Sequence, residues 1–371
     1  MDVIKFNNPN EETKMESAQV INGLTKKTWI ERYTTAGEFT FVGPVSGGFK
    51  ELLPIGCFVS HIKSDEIMIV ENHEINETNT TVPEITITGR SFETYLEQRV
   101  VGDNNIFPVV GIISDYILPY EYSWNQAVML IQNHILFPYL IDSSFELPYV
   151  SVLSNTLPSG KESPPFPRAF KRQSLYTTIL DLLKIDNFGI RSIRPGPSSP
   201  LVDDEVGNTA LVIYRGFDRT KTVSFSYTAG EVETGDYLWS NKTFKNAALV
   251  TGKWIEVIVD DLAPPAYERR VMFVDGSDDD KAFTSTPTGL DIDGVVAAMT
   301  QRGRVALNSQ INTVLIKPQI SKLGTKALYR TDYGMGDLIT VHGDYNESQP
   351  MLITEHVETE DNTGVGAYPI V

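Results

Sequence analysis

The clearest pattern of apolar and polar positions lies in residues 216–228. Val223, Phe225 and Tyr227 alternate with three hydroxyl-bearing residues. Because successive side chains of a β-strand point to opposite faces, this alternation predicts a strand with those three large side chains on one face. Gly216 and Asp218 are predicted to supply the turn before it. The pattern is typical of a structural framework and brings no set of catalytic residues with it.

The strand-and-turn pattern also fills residues 29–89. Four runs are predicted as strands, at residues 39–42, 57–60, 66–70 and 84–88. Glycines between the runs predict turns, and the short spacing predicts an antiparallel sheet that closes on itself. We expect this sheet to end at Gly89. A short amphipathic helix should follow, because four residues lie at helical spacing, namely Phe92, Tyr95, Leu96 and Arg99.

The character of the sequence changes between residues 101 and 200. Two stripes of apolar residues at helical spacing predict helices in a mixed α/β lobe. The first stripe is Trp124, Ala127, Val128, Ile131 and Ile135, and the second is Leu175, Ile179, Leu182 and Leu183. Proline, glycine and serine at residues 157–167 and 194–200 predict surface loops.

Strand patterns return in the second half of the chain. They run from about residue 211 to 274 and again at residues 313–317, 338–341 and 351–354. One helix interrupts them, from about residue 295 to 307, with Asp291 or Asp293 predicted as its N-cap. The second half is therefore predicted to be β structure around one inserted helix.

Length and charge set broad limits on what the chain does. Its 371 residues are enough for about two to three domains with cores of their own. The formal net charge of −17 repels phosphate backbones and anionic lipid surfaces, which disfavours nucleic-acid binding. A short basic run, Arg168 with Lys171 and Arg172, lacks interleaved aromatic residues, and we interpret it as the solvated start of a helix.

The single cysteine, Cys57, lies in an apolar run. One cysteine excludes a disulfide framework within the chain and a multi-cysteine zinc site, and it fits assembly in a reducing cytoplasm. We interpret Cys57 as a small buried core residue. The first residues show no basic start before an apolar run, and no segment reaches the roughly 20 apolar residues that span a bilayer. We therefore expect no signal peptide and no membrane insertion.

No arrangement typical of an active site or a metal site stands out in the sequence. The five histidines are scattered, at positions 61, 73, 134, 342 and 356, and none has a second histidine or a cysteine at ligand spacing. Nucleophile-elbow, phosphate-loop and dinucleotide-binding motifs do not occur. We therefore expect no catalytic residues, no cofactor-binding residues, no metal ligands and no cofactor.

Acidic clusters leave other chemistries open. They lie at residues 203–205, 260–261 and 275–280. The last resembles a calcium loop in composition but lacks the glycine and glutamate of an EF-hand, so we interpret it as a solvated turn. A carboxylate pair brought together by folding, as in glycosidases, stays open because the chain has 48 acidic residues. The tryptophans could stack on sugars but are more often core residues, and the candidates are Trp124, Trp239 and Trp254.

Eight segments, taken in their order along the chain, carry a family resemblance. They are WIERYTTAGEF at 29–39, LPIG at 53–56, ITGRSFETYL at 87–96 with Arg99, YRGFDRT at 214–220, VSFS at 223–226, NAALV at 246–250, ERRVMFVD at 268–275 and YGMGDLITV at 333–341. Their order and spacing resemble the tail-hub proteins of long-tailed bacteriophages, which lie at the baseplate or tail tip. The chain is similar to the Pepy-type siphovirus tail protein family and to the central hub of contractile tails.

The resemblance implies a mainly β protein with α+β lobes. Two similar antiparallel β-barrel, tube-like domains would carry attached α/β and helical insertions. The implied domains are a first hub barrel at 1–100, an α+β lobe at 101–210, a discontinuous second barrel at 211–275 and 311–371, and a helical insertion at 276–310.

The resemblance also implies a structural, non-enzymatic role in the virion. A homotrimer would present six barrels to the sixfold tail tube and distal tail proteins, and a threefold face to a tip, spike or fibre protein. It would be assembled in the host cytoplasm and end at the tail tip, where it would line the genome exit channel. DNA would pass without specific binding, and acidic side chains facing the lumen would keep it from adhering. No lysin activity is expected, because Val371 follows directly on the last barrel motif.

Two alternatives stay open at this point. One is a host-receptor or cell-wall glycan-binding tail protein, which binding of the isolated protein to host cell walls would favour. The other, ranked below it, is a cell-wall glycosidase that uses carboxylates not visible as a motif, which zymography on host peptidoglycan would detect.

Overall fold

The structure is a computed structural model that describes most of the chain. The described residues are 2–6, 17–76, 83–101, 116–136, 147, 150–154, 166–170, 173–194, 209–238, 244–260, 268–280, 283, 286, 288, 290–308, 315–321, 325–343 and 347–371. Strands predominate over helices in these residues, which confirms the mainly β class. Several sequence predictions lie outside them, namely the loops at 157–165 and 195–200, the acidic residues 203–205 and Asp261, the basic residues Lys171 and Arg172, and Trp239.

The first hundred residues build strands separated by short helical turns. The strands are β1 (Val3–Phe6), β2 (Ser17–Ile21), β3 (Lys26–Arg32), β4 (Glu38–Pro44), β5 (Phe58–His61), β6 (Met68–Asn76) and β7 (Glu84–Ser91). Between β4 and β5 lie a 3-10 turn, Val45–Gly47, and the helix α1 (Phe49–Leu52). A 3-10 helix, Phe92–Gln98, follows β7 where the sequence predicts a short amphipathic helix.

The next part of the chain mixes helices and strands. Its elements are β8 (Tyr116–Glu121), α2 (Ser123–Ile131) with a π-helical turn at Gln132–Leu136, β9 (Val150–Ser154), β10 (Phe166–Phe170), α3 (Leu175–Ile185), β11 (Gly189–Ile193) and β12 (Thr209–Tyr214). The predicted mixed α/β character of this part is confirmed.

The remaining elements are mostly strands. They are β13 (Ser224–Ser226), β14 (Val232–Leu238), β15 (Ala247–Thr251), β16 (Glu256–Val259), β17 (Val271–Asp275), α4 (Ser277–Asp280), α5 (Leu290–Asn308), β18 (Leu315–Ile320), β19 (Leu338–His342), β20 (Ser348–Leu352), β21 (Glu355–Asp361) and β22 (Gly364–Ile370). The predicted inserted helix corresponds to α5.

One antiparallel sheet dominates the described residues. Its nine strands follow the order β2-β1-β5-β6-β7-β4-β3-β21-β22 and curl into a half-barrel. Alternate residues of a strand share a face, so the large apolar residues of neighbouring strands meet in one core. That core contains Trp29 of β3, Phe39 and Phe41 of β4, and Ile85 and Ile87 of β7. The antiparallel sheet predicted for the first hundred residues is confirmed.

The sheet does not end at Gly89, and that prediction is wrong. Strand β7 continues to Ser91, and Gly89 lies within it. A register shift in β6 between Val70 and Asn72 lies directly opposite. A Cβ on Gly89 would come within 1.7 Å of the carbonyl oxygen of Ile69. Glycine is needed here because two backbones approach closely, and not because the chain turns.

The C-terminal hairpin of β21 and β22 was not predicted. Strand β21 pairs with β3, with Val357 opposite Ile30, and so extends the first sheet. It reads EHVETED, which lacks the apolar alternation of a half-buried strand. The turn at Asp361, which accepts the Thr363 N–H at 2.7 Å, is the one local signal for the hairpin. The pairing joins the end of the range 311–371, which was assigned to the second barrel, to the first sheet. The domain limits themselves stay a prediction.

Helices α2 and α3 pack against each other beside the small sheet β11-β12-β9. Every residue of the two predicted stripes is buried in one core or packs against it. The predicted loop at 157–167 is too long at its C-terminal end, because β10 begins at Phe166. Antiparallel pairing with β8 supplies the backbone partners that make this segment a strand.

Two small sheets, β13-β19-β20 and β14-β18, share a second core. Val223 and Phe225 are buried in it as predicted. Tyr227 is exposed, against the prediction, because β13 already ends at Ser226. The Tyr227 carbonyl instead accepts the Gly230 N–H at 3.0 Å in the turn that follows.

A third small sheet, β16-β15-β17, packs one face against α5. The helix begins at Leu290, so Asp291 and Asp293 lie inside it and the predicted N-cap is wrong. Acidic residues in the first turn of a helix are favoured by the positive end of the helix dipole, and this explains the acidic residues at 291 and 293 without an N-cap.

The sequence predicts the acidic run 275–280 to be a solvated turn, and for Asp279 and Asp280 that prediction is wrong. Asp279 is buried and receives two hydrogen bonds from Arg302 of α5, at 2.7 and 2.8 Å. Asp280 is buried as well and accepts the backbone N–H groups of residues 253–255, at 2.5 to 3.1 Å. These carboxylates therefore attach α4 to α5 and to the β15–β16 turn.

Candidate functional site at the junction of the β regions

A buried ion pair joins β3 to a turn late in the chain. Glu31 points into the interior from β3 and is 1% exposed. One terminal nitrogen of Arg330 donates to both oxygens of its carboxylate, at 2.7 and 2.9 Å. Arg330 has a φ of 67°, a left-handed conformation that is uncommon for a non-glycine residue. Its N–H donates to the Tyr333 carbonyl at 2.7 Å, which closes the turn that presents the guanidinium to Glu31.

Three further donors surround the Glu31 carboxylate. They are the Ser64 hydroxyl at 2.5 Å, the Tyr329 hydroxyl at 2.7 Å and the Trp29 indole N–H at 3.2 Å. Burial by itself would raise the pKa of Glu31, but the charge of Arg330 and the hydrogen bonds from Arg330, Ser64 and Tyr329 hold that pKa well below its ordinary value. Glu31 therefore stays ionised in the interior, with its oxygens fully engaged.

Asp65 extends the ion pair into the α/β lobe. Its Oδ1 lies 2.7 Å from an Arg330 nitrogen, and its Oδ2 lies 3.3 Å from Arg191 of β11. The Arg191 guanidinium in turn stacks 5.1 Å from the ring centre of Tyr214, at the end of β12. The alternating charges thus connect the first sheet, the turn at Arg330 and the lobe, and we call these connected segments the junction.

Tyr33 also contributes to the junction, through the packing of its ring and one hydrogen bond. Its ring is buried and packs edge-on against Tyr214, with ring centres 5.4 Å apart. Its hydroxyl donates to the Asn187 carbonyl at 2.6 Å. Gly189 and Gly336 touch the ring so closely that a Cβ on either would lie within 2.4 Å of it. Burial raises the pKa of Tyr33 to about 12, so the hydroxyl keeps its proton for this bond.

Asp337 joins two of the motifs that carry the family resemblance. It accepts the Phe217 N–H and the Arg219 Nε–H, both at 2.6 Å, and the Gly334 N–H at 2.8 Å. A Cβ on Gly216 would lie 1.9 Å from the Gly336 carbonyl oxygen, so glycine is needed at position 216 for the two backbones to approach. The segments 214–220 and 333–341, distant in sequence, therefore form one contact.

Gly216 and Asp218 were both predicted to supply the turn before β13, but the structure gives them different roles. Asp218 makes the turn before β13 by accepting the Thr220 N–H at 3.0 Å. Gly216 serves the close approach and not the turn itself. Gly336 has a φ of 80°, as a turn glycine before β19 should.

An open groove runs along the junction. Its cavity volume is about 330 Å³, and its charged lining residues are Asp65, Arg191, Arg215, Arg219, Arg330 and Asp337. Four arginines face two aspartates there, in a chain whose formal net charge is −17. The groove is therefore a cationic region on an acidic protein.

Two buried carboxyl groups lie beside the junction, Glu66 and Glu93. Burial raises the pKa of Glu93 to about 7, although the Ser192 hydroxyl donates to it at 2.8 Å. Burial, together with the charges of Glu31 and Glu93, raises the pKa of Glu66 well above its ordinary value. Solvent does not reach either group, which makes them part of the framework between the first sheet and β11.

Two of the histidines, which are scattered in the sequence, come together in the fold. His61 and His356 are buried, and their Nε2 atoms lie 3.9 and 3.7 Å from the same oxygen of Glu358. Burial lowers the pKa of His61 to about 3 and that of His356 to about 4, so both are neutral near pH 7. The described residues contain no group of three or more histidine, cysteine or carboxylate side chains that could hold a metal ion.

The remaining residues singled out in the sequence each make contacts within the fold. Cys57 is buried in the core of the first sheet, as predicted. Trp124 packs against the core of the lobe. Trp254 is partly exposed, and its indole N–H donates to the Phe283 carbonyl at 3.0 Å. Asp260 pairs with Arg269.

Sequence reasoning missed the charged residues of the junction. Glu31 belongs to the segment at 29–39 that carries the family resemblance, whereas Asp65, Arg191 and Arg330 lie far from it along the chain and in none of the eight segments. One signal was present: Glu31 lies between Trp29 and Tyr33 in the alternation of β3, on the face that is otherwise apolar. A carboxylate at such a position needs a buried partner, and the sequence does not say which residue it is.

Three solved structures share the fold of the chain. The prophage MuSo2 43 kDa tail protein from Shewanella oneidensis is 15% identical, with a TM-score of 0.56 over 100% of this chain and 98% of that one. The tail protein from Neisseria meningitidis MC58 is 10% identical, with a TM-score of 0.56 over 94% and 92%. The prophage tail protein gp18 from Listeria monocytogenes EGD-e is 10% identical, with a TM-score of 0.52 over 96% and 90%. Likeness at these identities establishes the fold.

Sequence comparison adds the family. Among curated proteins, none matches the sequence. The sequence model of the family described as Siphovirus ReqiPepy6 Gp37-like protein matches residues 11–365, nearly the whole chain. The resemblance to phage tail proteins is thereby confirmed in both family and fold. The chain belongs to the Siphovirus ReqiPepy6 Gp37-like protein family.

Proposed function

We propose that this phage tail protein is the hub of the tail tip, a homotrimer that joins the sixfold tail tube to a threefold tip, spike or fibre protein. The observation that carries the proposal is the family match over residues 11–365 together with a tail-protein fold over the whole chain. The chain would be assembled in the host cytoplasm and located at the tail tip of the virion.

The junction supports a role that depends on fixed shape. A symmetry adaptor must keep its regions at constant angles, because its contacts repeat around a closed ring. Glu31, Arg330, Asp65 and Arg191 supply such a constraint through paired charges, of which Glu31 is buried and the other three are partly exposed. Breaking a buried pair costs about 3–5 kcal/mol, so the regions would resist reorientation during assembly.

The proposed hub is not an enzyme. Perturbed pKa values gather at catalytic sites but also in structural ion-pair networks. Those of Glu31 and Glu93 belong to groups that hydrogen-bond within the framework. Genomic DNA would pass through the channel without specific binding, consistent with the net charge of −17. No helix within the described residues is long and apolar enough to cross a membrane.

Immunogold electron microscopy of purified virions tests the proposal. Antibody against the whole chain should label the tail tip and leave the capsid and the tail shaft unlabelled. An antibody against the major tail tube protein is the control for access to the virion surface. Absence of label from the tip of intact and of detergent-opened virions would contradict the hub role. Zymography of the purified chain on host peptidoglycan separately tests the non-enzymatic role, for which no clearing is expected.

A further inference from the structure

The groove at the junction contains an arginine with unused donor capacity. Arg219 binds Asp337 through its Nε–H alone, and within the described residues its two terminal nitrogens have no partner. Its side chain is 36% exposed. A guanidinium has five N–H donors in a fixed fork, and the terminal ones suit the two oxygens of a carboxylate. The Arg219 guanidinium is thus held by Asp337 through Nε, while its two terminal nitrogens can still donate to a ligand.

An exposed aromatic ring stands beside this fork. Phe217 is 69% exposed, and the Arg219 guanidinium lies 5.7 Å from its ring centre. The Phe217 N–H is fixed by Asp337 and its carbonyl accepts the Leu338 N–H, so the ring is presented by a rigid backbone. Exposed aromatic and arginine side chains held in this way are typical of the residues that dominate protein–protein binding.

Two polar atoms buried behind the inner wall of the same groove also lack a hydrogen-bond partner among the described residues. Arg191 contacts Asp65 through one terminal nitrogen, and among the described residues its Nε has no hydrogen-bond partner. The Tyr214 hydroxyl, under the Arg191 guanidinium, also lacks a partner there. The four arginines of the groove face Asp65, Asp337 and the ionised Glu31 behind Arg330, so the groove keeps an excess of one positive charge.

We infer that this groove binds an acidic loop of an adjoining tail protein, with a carboxylate on the Arg219 fork and a neighbouring apolar side chain on Phe217. Charge complementarity selects a short acidic segment, since the cationic lining is local and the field of the whole chain, at −17, repels a long polyanion such as DNA. The inference rests on the proposed tail function for the existence of such a neighbour. It adds the place of contact and the chemistry of the partner.

Fluorescence anisotropy on the full chain tests this inference. The probe is a labelled, end-capped heptapeptide with two adjacent glutamates followed by a leucine, and its twin carries two glutamines instead. The glutamate peptide should bind, and the twin should bind at least about tenfold more weakly, because charge-assisted hydrogen bonds are roughly twice as strong as neutral ones. Binding should weaken as salt is raised.

Two pairs of variants locate the binding. Phe217→Ala and Arg219→Gln should each weaken binding of the glutamate peptide by about tenfold or more. The matched controls are Phe273→Ala, which removes a ring that is 68% exposed on another sheet, and Arg90→Gln, which removes a surface arginine paired with Glu71 and Glu97. Both controls should bind as the parent chain does. Arg219→Lys, which keeps the charge and loses the fork, covers the case in which Arg219→Gln does not fold.

Several results would overturn the inference. They are no binding of the glutamate peptide, equal binding of both peptides, equal losses in the groove and control variants, or tighter binding of inorganic phosphate or a DNA oligonucleotide at the same residues. The assay needs no virion and so separates this inference from the proposed function. Peptide binding without label at the tail tip would contradict only the proposed hub role. Label at the tip without peptide binding would contradict only the proposed binding in the groove.

Discussion

Arg330 donates two hydrogen bonds to Glu31 across 299 positions of the sequence, at 2.7 and 2.9 Å. Glu31 belongs to a strand of the first sheet, and Arg330 to a turn packed beside the second β core. The contact therefore fixes two β regions to each other through one charge pair. Asp65 links this pair to the lobe, because it lies close to both Arg330 and Arg191.

Removal of Arg330 should destabilise the protein strongly. Arg330→Ala leaves the buried Glu31 carboxylate without its counter-charge, and we expect the free energy of unfolding to fall by about 3–5 kcal/mol. Urea unfolding followed by tryptophan fluorescence measures it. Arg90→Ala is the control, since the Arg90 pairs with Glu71 and Glu97 are exposed and should contribute about 0–1 kcal/mol. Equal losses in the two variants would contradict the importance of the buried pair.

A methyl group at Gly89 should be poorly tolerated. In Gly89→Ala the new Cβ meets the Ile69 carbonyl at 1.7 Å, and a backbone atom inside the sheet cannot give way cheaply. We expect a loss of about 1–3 kcal/mol in the free energy of unfolding. Gly334→Ala is the control, because its Cβ has no neighbour closer than 3.8 Å. Its unfolding free energy should stay within about 0.5 kcal/mol of the parent chain, and a similar loss in both would refute the steric explanation.

The buried carboxyl of Glu93 should make stability fall as pH rises. Its pKa is raised from 4.5 to about 7, so the folded state holds a proton that the unfolded state releases between those values. This contribution is complete below pH 4.5 and is lost as pH rises to about 7. Glu93→Gln keeps a neutral side chain at every pH and removes the part of the dependence that Glu93 contributes, while Glu66 keeps its own.

The measurement for Glu93 is the difference in unfolding free energy between the parent chain and Glu93→Gln, from pH 4 to 8. The difference cancels the opposite contribution of His61 and His356, whose lowered pKa values make stability fall as pH falls. Relative to the variant, the parent chain should lose on the order of 2–3 kcal/mol over this interval. A constant difference would contradict the raised pKa of Glu93.

Cys57 should be inert in the folded protein. Burial raises its thiol pKa from 9.0 to about 11, which lowers the thiolate fraction by about a hundredfold before access is considered. Labelling with a chromogenic disulfide reagent at pH 8 should therefore be slow in buffer and complete within minutes in concentrated urea. Rapid labelling of the folded chain would contradict the burial of Cys57.

Short-range periodicity was enough to predict many elements. The stripes of α2 and α3 and the alternation of β4 and β7 each repeat at the period of the structure they form, so local sequence determines them. Tyr227 shows the limit of this reasoning, because its strand ends one residue earlier where a turn takes over its carbonyl. Strand β21 shows another limit, since its own residues carry no apolar alternation and its place in the sheet comes from pairing with β3 and β22.

The junction could not be predicted because its contacts are long-range and polar. Glu31, Arg330 and Asp337 would be interpreted as surface residues from composition alone, and only the fold brings each to its partner. The predicted end of the sheet at Gly89 was wrong because the sequence does not show that another backbone passes beside this glycine. The family motifs at 214–220 and 333–341 marked the right segments, without showing that they touch.

The most direct test of the hub role is a cryo-EM reconstruction of the tail tip of the intact virion, calculated without imposed symmetry. The account predicts density for three copies of this fold around the tail axis, with the tail tube on one side, a threefold tip on the other and the channel between them. Density for this fold at another place in the virion, or in a number other than three at the tip, would contradict it.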